Sequence, residues 1–202
     1  MIKLFWSPQT RAARILWMLE ELGEPYEICR IDVRDEASRA DTEFRSASPM
    51  GKVPAITDGE VAMADSAAIA IYLADRYPDA GLAPAINHPQ RGIYLYWMIY
   101  TPGVIEPAMM EKINGSEINE KSAGWGSFDL MLKTLDEGLS PGPWLLGDAF
   151  SAADLMVAGS VDFLRKFGML PDGFPRLEDY ADRCISRPAY VRAMALEEEK
   201  KG

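Results

Sequence analysis

The chain has 202 residues, 21 of them Lys or Arg and 31 Asp or Glu, for a formal net charge of −10; nucleic-acid binders present basic faces, so that balance argues against such a partner. Two cysteines, Cys29 and Cys184, and one histidine, His88, are too few and too scattered for a disulfide framework or a metal site, so no metal and a reducing compartment, the cytoplasm, are expected. No apolar run approaches the ~20 residues of a membrane span, the first residues are too short for a signal peptide, and the length suffices to bury a core without staples.

Residues 2–6 alternate weakly and read as a strand; Ser7-Pro8-Gln9-Thr10 breaks it, and Ala12, Ile15, Leu19 and Leu22 then recur at helical spacing up to Gly23. Tyr26, Ile28 and the run from Cys29 to Val33 suggest a second strand, and residues 37–44 a short helix. Asp58-Gly59, between the apolar runs Val53-Ala55-Ile56 and Val61-Ala62-Met63, predicts a hairpin whose positive φ values that dipeptide supplies. Val53-Pro54 is a candidate cis peptide, and a proline there removes an N–H from the ladder and leaves a strand edge open. Asp65-Ser66 begins a helix running to Tyr77, where a hydroxyl, free backbone N–H groups and the positive end of a helix dipole together suit a carboxylate. The turn-rich stretch Pro78–Pro84 places a domain boundary, with residues 1–78 before it, 79–88 as linker and 89–202 after. Beyond Pro89 the patterns are helical. Ile93–Tyr100 is apolar throughout and reads as a helix buried on most sides, which Pro102 and Pro107 should bend or end. Ser151 and Asp154, flanked by Phe150 and Leu155, form a capping box with a hydrophobic staple.

The order β-α-β-α-β-β-α, the pair Val53-Pro54 and Asp65-Ser66, and the loop Ser7-Pro8-Gln9-Thr10 resemble the glutathione S-transferase family, over the whole chain. The resemblance implies an α/β thioredoxin-like first domain, an all-α helical-bundle second domain, a homodimer and glutathione as cosubstrate. It implies that Val53, ahead of Pro54, pairs its backbone with the cysteinyl part of glutathione, and that Asp65 and Ser66 take the γ-glutamyl end; Lys52, beside them, is a candidate for the glycyl carboxylate. The first loop stands where thioredoxin-like proteins carry Cys-Pro-x-Cys, with hydroxyls for both sulfurs, so a dithiol cycle is not available from it.

A hydroxyl can still stabilise a thiolate that glutathione brings. One hydrogen bond donated to an anion is worth about 1.5–3 kcal/mol and a helix N-terminus about 0.3–1, enough to lower a thiol pKa by about two units. Ser7 matches the leading position of the loop, whereas Thr10 resembles the later hydroxyl of bacterial and fungal members; both are candidates, with Ser7 favoured, and Arg11 adds positive potential. A pocket for a hydrophobic electrophile is expected between the domains, with Trp6, Tyr94, Trp97, Met98, Thr101, Ile105, Met109 and Met110 as candidates that suit a core equally well. Cys29, Cys184 and His88 receive no role. The implied activity is conjugation of glutathione to electrophiles; the alternatives are a glutathione-dependent peroxidase or disulfide reductase, and a non-catalytic binding or regulatory protein that keeps the fold.

Overall fold

The computed structural model describes residues 1–115, 119–139 and 142–200. Contacts divide the chain into two units, Met1–Ala80 together with the segment from Ser186 onward, and Gly81–Ile185.

In the first unit β1 (Ile2–Trp6), α1 (Ala12–Leu22) and β2 (Tyr26–Arg30) form a parallel strand pair with its crossover helix. The second strand stops at Arg30 rather than Val33. Strand β1 offers five residues, paired from Ile2↔Tyr26 to Trp6↔Arg30, and the backbone N–H of Asp32 turns away to the Ser38 hydroxyl. The expected single helix over 37–44 is two, α2 (Glu36–Arg39) and α3 (Thr42–Ala47). Each has its own aspartate cap: Asp35 accepts from the N–H groups of Ala37 and Ser38, and Asp41 from that of Phe44.

The hairpin follows as β3 (Ala55–Asp58) and β4 (Val61–Ala64), then α4 (Ser66–Arg76), completing a sheet of order β2-β1-β3-β4. Its turn lies one residue later than expected. Asp58 pairs with Val61 in the ladder, leaving Gly59-Glu60 as the connection, and only Gly59 (φ 62°) takes the positive value. Asp58 is held in the strand because its carboxylate accepts from the hydroxyls of Tyr72 and Tyr77, each at 3.1 Å. One face of the sheet buries Phe5 and Ala55 with Ile31, Phe44 and Ala47, the rings of Phe5 and Phe44 lying 5.5 Å apart. On α1 six consecutive-turn residues, Ala12 and Ile15 to Leu19, are buried, more than one apolar stripe requires.

The extra burial comes from α10 (Pro188–Glu199), which packs along α1 and so belongs to the first unit, although the sequence reading placed it with the second domain. Tyr190 meets Trp17 edge to face at 5.0 Å. Arg187 donates two bonds to the Glu21 carboxylate, at 2.6 and 2.8 Å, and Arg192 donates to Glu20 at 2.6 Å.

The second unit contains α5 (Arg91–Tyr100), α6 (Glu106–Asn114), α7 (Phe128–Gly138), α8 (Ala152–Lys166) and α9 (Pro175–Ile185). The first of these ends at Tyr100, just ahead of Pro102. The chain passes from α5 to α6 through a π-helical segment, Thr101–Ile105, in which the N–H of Glu106 donates to the Thr101 carbonyl. Helix α5 is not buried on most sides: Tyr94, Trp97, Met98 and Tyr100 are inside, while Ile93, Tyr96 and Ile99 face outward. The capping box of α8 is formed, with Asp154 accepting from the N–H and hydroxyl of Ser151, both at 2.9 Å. Asp154 accepts further from the Leu145 N–H and the Tyr180 hydroxyl. Burial nevertheless pushes its carboxyl pKa up against those bonds.

Candidate functional site

Strand register brings three of the sequence-predicted segments to one end of the sheet. Phe5 pairs with Ala55, and Ala55 with Ala64. Ser7 beyond β1, Val53-Pro54 ahead of β3 and Asp65-Ser66 beyond β4 therefore emerge side by side, on three adjacent strands. Neighbouring strands lie about 4.8 Å apart, so the outer two segments are about 10 Å from each other with Val53 between them. An extended tripeptide spans about that distance.

The Val53–Pro54 peptide is cis. Strand β3 is not an edge strand, since β1 and β4 flank it; the unpaired backbone is the short stretch before Ala55 where Val53 sits. That stretch is fixed by a residue the sequence reading gave no role. The buried Ser48 hydroxyl donates to the Lys52 carbonyl at 2.8 Å and accepts from the Lys52 N–H at 2.9 Å. The turn so closed requires a left-handed residue, supplied by Gly51 (φ 63°), whose N–H donates to the Ser48 carbonyl.

A Cβ on Gly51 would lie 2.5 Å from Arg45 Nη1 and 3.6 Å from Arg39 Nη2, so two guanidinium groups converge on this turn beside Lys52. None of the three cations has an acidic partner among the described residues. Convergent unpaired cations in a chain of net charge −10 give this turn a locally positive potential, the chemistry that suits a carboxylate. Arg39 and Arg45 were missed from sequence because α2 and α3 gave no sign of which way they point.

At the third segment Asp65 has a left-handed backbone (φ 80°), rare for a residue with a side chain, and its Oδ1 accepts from the N–H groups of Ala67 and Ala68 at 3.0 and 3.3 Å. Two of the N–H groups expected to be free are thus taken up by the aspartate itself. What stays available is the exposed second oxygen of Asp65, and the hydroxyl and N–H of Ser66, which have no partner among the described residues. The pair offers an anionic acceptor next to two donors at a helix start, suited to an ammonium and a carboxylate on adjacent atoms.

The first loop separates its two hydroxyls. Thr10 is spent locally, its Oγ1 donating to the Ser7 carbonyl at 2.7 Å and accepting from the Ala12 N–H at 3.2 Å. The Ser7 hydroxyl has no partner among the described residues and lies just ahead of α1, although the residue is only 5% exposed. Arg11 is exposed at the position preceding α1. Cys29 lies in β2 beside Phe5, and burial pushes its thiol pKa up against the opposing pull of Lys3, so it is no ready nucleophile.

Of the candidates for an electrophile pocket, Trp6, Tyr94, Trp97, Met98, Thr101, Ile105 and Met109 are buried and only Met110 is exposed. They are core residues. Trp6 Nε1 and Thr101 Oγ1 are buried polar atoms without a hydrogen-bond partner among the described residues. Among the described residues there is no cluster of metal-ligating side chains, and no helix is long and apolar enough to cross a membrane.

Comparison with known proteins identifies the family. Residues 6–76 match the glutathione S-transferase N-terminal domain, and residues 118–183 the glutathione S-transferase C-terminal domain. Glutathione S-transferase Z2 of Arabidopsis thaliana is 28% identical over 91% of this chain and 85% of its own. The disulfide-bond oxidoreductase YfcG of Escherichia coli is 25% identical over 96% of this chain and 94% of its own. Among solved structures, a sphingomonad glutathione S-transferase complexed with glutathione superposes with a TM-score of 0.80 at 29% identity, covering 97% of this chain and 98% of that one. With a thioredoxin-like unit, a helical unit and both family domains matched in order, the chain belongs to the glutathione S-transferase family.

Proposed function

We propose that this protein binds glutathione along the end of its sheet, holds the thiol as thiolate at the Ser7 hydroxyl, and directs it at hydrophobic electrophiles. The observation that carries the reading is the register that sets Ser7, Val53 and Asp65-Ser66 on adjacent strands at tripeptide spacing. Val53 supplies backbone to the cysteinyl residue. Asp65 and Ser66 take the ammonium and carboxylate of the γ-glutamyl end, while Lys52, Arg39 and Arg45 face the glycyl carboxylate; Arg11 adds positive potential to the thiolate end. Cys29 and Cys184 form no disulfide among the described residues, in accord with a cytoplasmic protein. The outward apolar row Ile93, Tyr96 and Ile99 supports pairing with a second copy.

A second reading is disulfide reduction, favoured by the likeness to YfcG and by the absence of any thiol in the first loop. One glutathione thiolate attacks a disulfide, forming a mixed disulfide and releasing one thiol. A second glutathione thiolate then attacks, releasing the other thiol and glutathione disulfide, so no protein sulfur is needed. A non-catalytic binding protein would bind glutathione and turn over neither substrate class.

Calorimetry on Asp65→Asn tests the site. Asparagine tolerates the left-handed backbone and still caps α4, so stability should hold while the lost charge weakens glutathione binding by about 30- to 150-fold, the equivalent of 2–3 kcal/mol. Unchanged affinity refutes the site. Turnover with a panel of electrophiles against a panel of disulfides separates the two activities.

A further inference from the structure

The first loop takes one hydrogen bond from far along the chain: the backbone N–H of Gln9 donates to Glu197 Oε1 at 2.9 Å across 188 residues of sequence. Gln9 stands between the two candidate hydroxyls with a left-handed backbone (φ 57°), a conformation that residues with side chains rarely keep unless their surroundings impose it. Glu197 is itself in an unfavourable place. It is 7% exposed, its Oε2 is buried with no partner, and no lysine or arginine pairs with it among the described residues. It also lies in the last turn of α10, where the helix dipole disfavours a negative charge.

Docking of α10 does not account for these penalties. That helix is already fixed to α1 by Arg187 on Glu21, Arg192 on Glu20 and Tyr190 on Trp17. An apolar residue at position 197 would serve packing better than a desolvated carboxylate with an idle oxygen. What the carboxylate does that an apolar residue cannot is anchor the Gln9 N–H. Through that bond it sets the path of the chain between Ser7, whose hydroxyl is open, and Thr10, whose hydroxyl closes the turn.

We propose that Glu197 is a positioning residue for the thiolate site: it acts through the Gln9 backbone to aim the Ser7 hydroxyl, and touches neither glutathione nor electrophile. The proposal rests on the reading of the first loop as the place where the thiolate is held. Its sign is distinctive. A carboxylate near a thiolate raises the thiol pKa, so removing the charge alone would lower it. Losing the aim of the hydroxyl raises it.

Glu197→Gln and Glu197→Ala both remove the charge, but only Gln keeps an acceptor for the Gln9 N–H, so their difference isolates the hydrogen bond. The measurements are amide exchange at Gln9 in the free protein, and thiolate absorbance against pH in the glutathione complex. In Glu197→Ala the Gln9 amide should exchange at least about tenfold faster, and the bound thiol pKa should rise by about one unit, a tenfold loss of thiolate at low pH. Glu197→Gln should keep exchange within about twofold of the parent and leave the pKa at or slightly below the parent value. Equal downward shifts in the two variants, or an unaltered pKa or Gln9 exchange in Glu197→Ala, overturn the proposal while the glutathione reading stands. A parent protein that binds glutathione without any thiolate band overturns the reading of the loop, and the proposal with it.

Discussion

Replacing Ser7 by alanine should raise the pKa of bound glutathione by about one to two units. The structure sets the magnitude. Ser7 lies at the end of β1, nearly buried, and its hydroxyl has no partner among the described residues, so the full strength of one donated bond is open to an anion. A hydrogen bond to a charged acceptor is worth about 1.5–3 kcal/mol, and one pKa unit corresponds to 1.36 kcal/mol. The dipole of α1 contributes about 0.3–1 kcal/mol more and survives the substitution, so the thiol should not return fully to its free value. The sign follows from which form is stabilised: a donor favours the thiolate, lowering the pKa, and its loss moves the acid limb of the kcat/KM profile to higher pH. Thr10→Ala makes the contrast. Its hydroxyl holds the Ser7 carbonyl and the Ala12 N–H, so the expected cost is about 1–2 kcal/mol of stability with little movement of the thiol. The assay is a pH titration of thiolate absorbance in each binary complex, beside thermal melts of each variant. A shift confined to Thr10→Ala, or none in either variant, refutes the assignment of Ser7.

If Arg39 and Arg45 meet the glycyl carboxylate, Arg45→Ala should weaken glutathione binding about fivefold, as expected of a partly screened charge contact, and the double change should reduce the preference for glutathione over its glycyl amide to what Lys52 alone sustains in competition titrations. Cys29 has a folded-state pKa raised chiefly by burial, so the protonated thiol is the favoured form; its contribution to stability is present below the unfolded thiol pKa and is lost as pH rises through the folded value. Iodoacetamide at mildly alkaline pH should therefore alkylate Cys29 more slowly than a free thiol, and a Cys29→Ser, Cys184→Ser protein should keep its turnover.

Signals confined to a few neighbouring residues were legible in the sequence. The strand-loop-helix start, the beginning of α4 at Ser66 and the Ser151–Asp154 box each depend on contacts spanning only a few residues, and the structure has all of them. Errors arise where a distant partner decides. Asp58-Gly59 looks like a hairpin tip until the hydroxyls of Tyr72 and Tyr77 claim the aspartate for the strand. The helical patterns beyond Pro89 include α10 but do not show its neighbour, because the deciding pairs join Arg187 and Arg192 to Glu21 and Glu20 far upstream. Likewise nothing local marks Ser48 and Glu197, which bond to backbone elsewhere in the chain, or Arg45, whose guanidinium reaches the Gly51 turn. The prolines after α5, by contrast, act locally: the regular helix ends at Tyr100, and a widened helical turn takes up the missing N–H.

The association of α10 with the first unit also bears on the order in which the protein is made. Ribosomes add about 5–20 residues per second, and roughly a hundred residues of the second unit separate Ala80 from Ser186. For about 5 to 20 s the nascent sheet and α1 therefore stand without their cover, with the Trp17 ring missing its Tyr190 partner and Glu20 and Glu21 missing their arginines. The half that carries the proposed binding residues is thus synthesised first and completed late. A chain halted anywhere before α10 would display the Trp17 face of α1 as an apolar patch open to chaperones and proteases, and residues 1–80 excised alone would make a poor autonomous module.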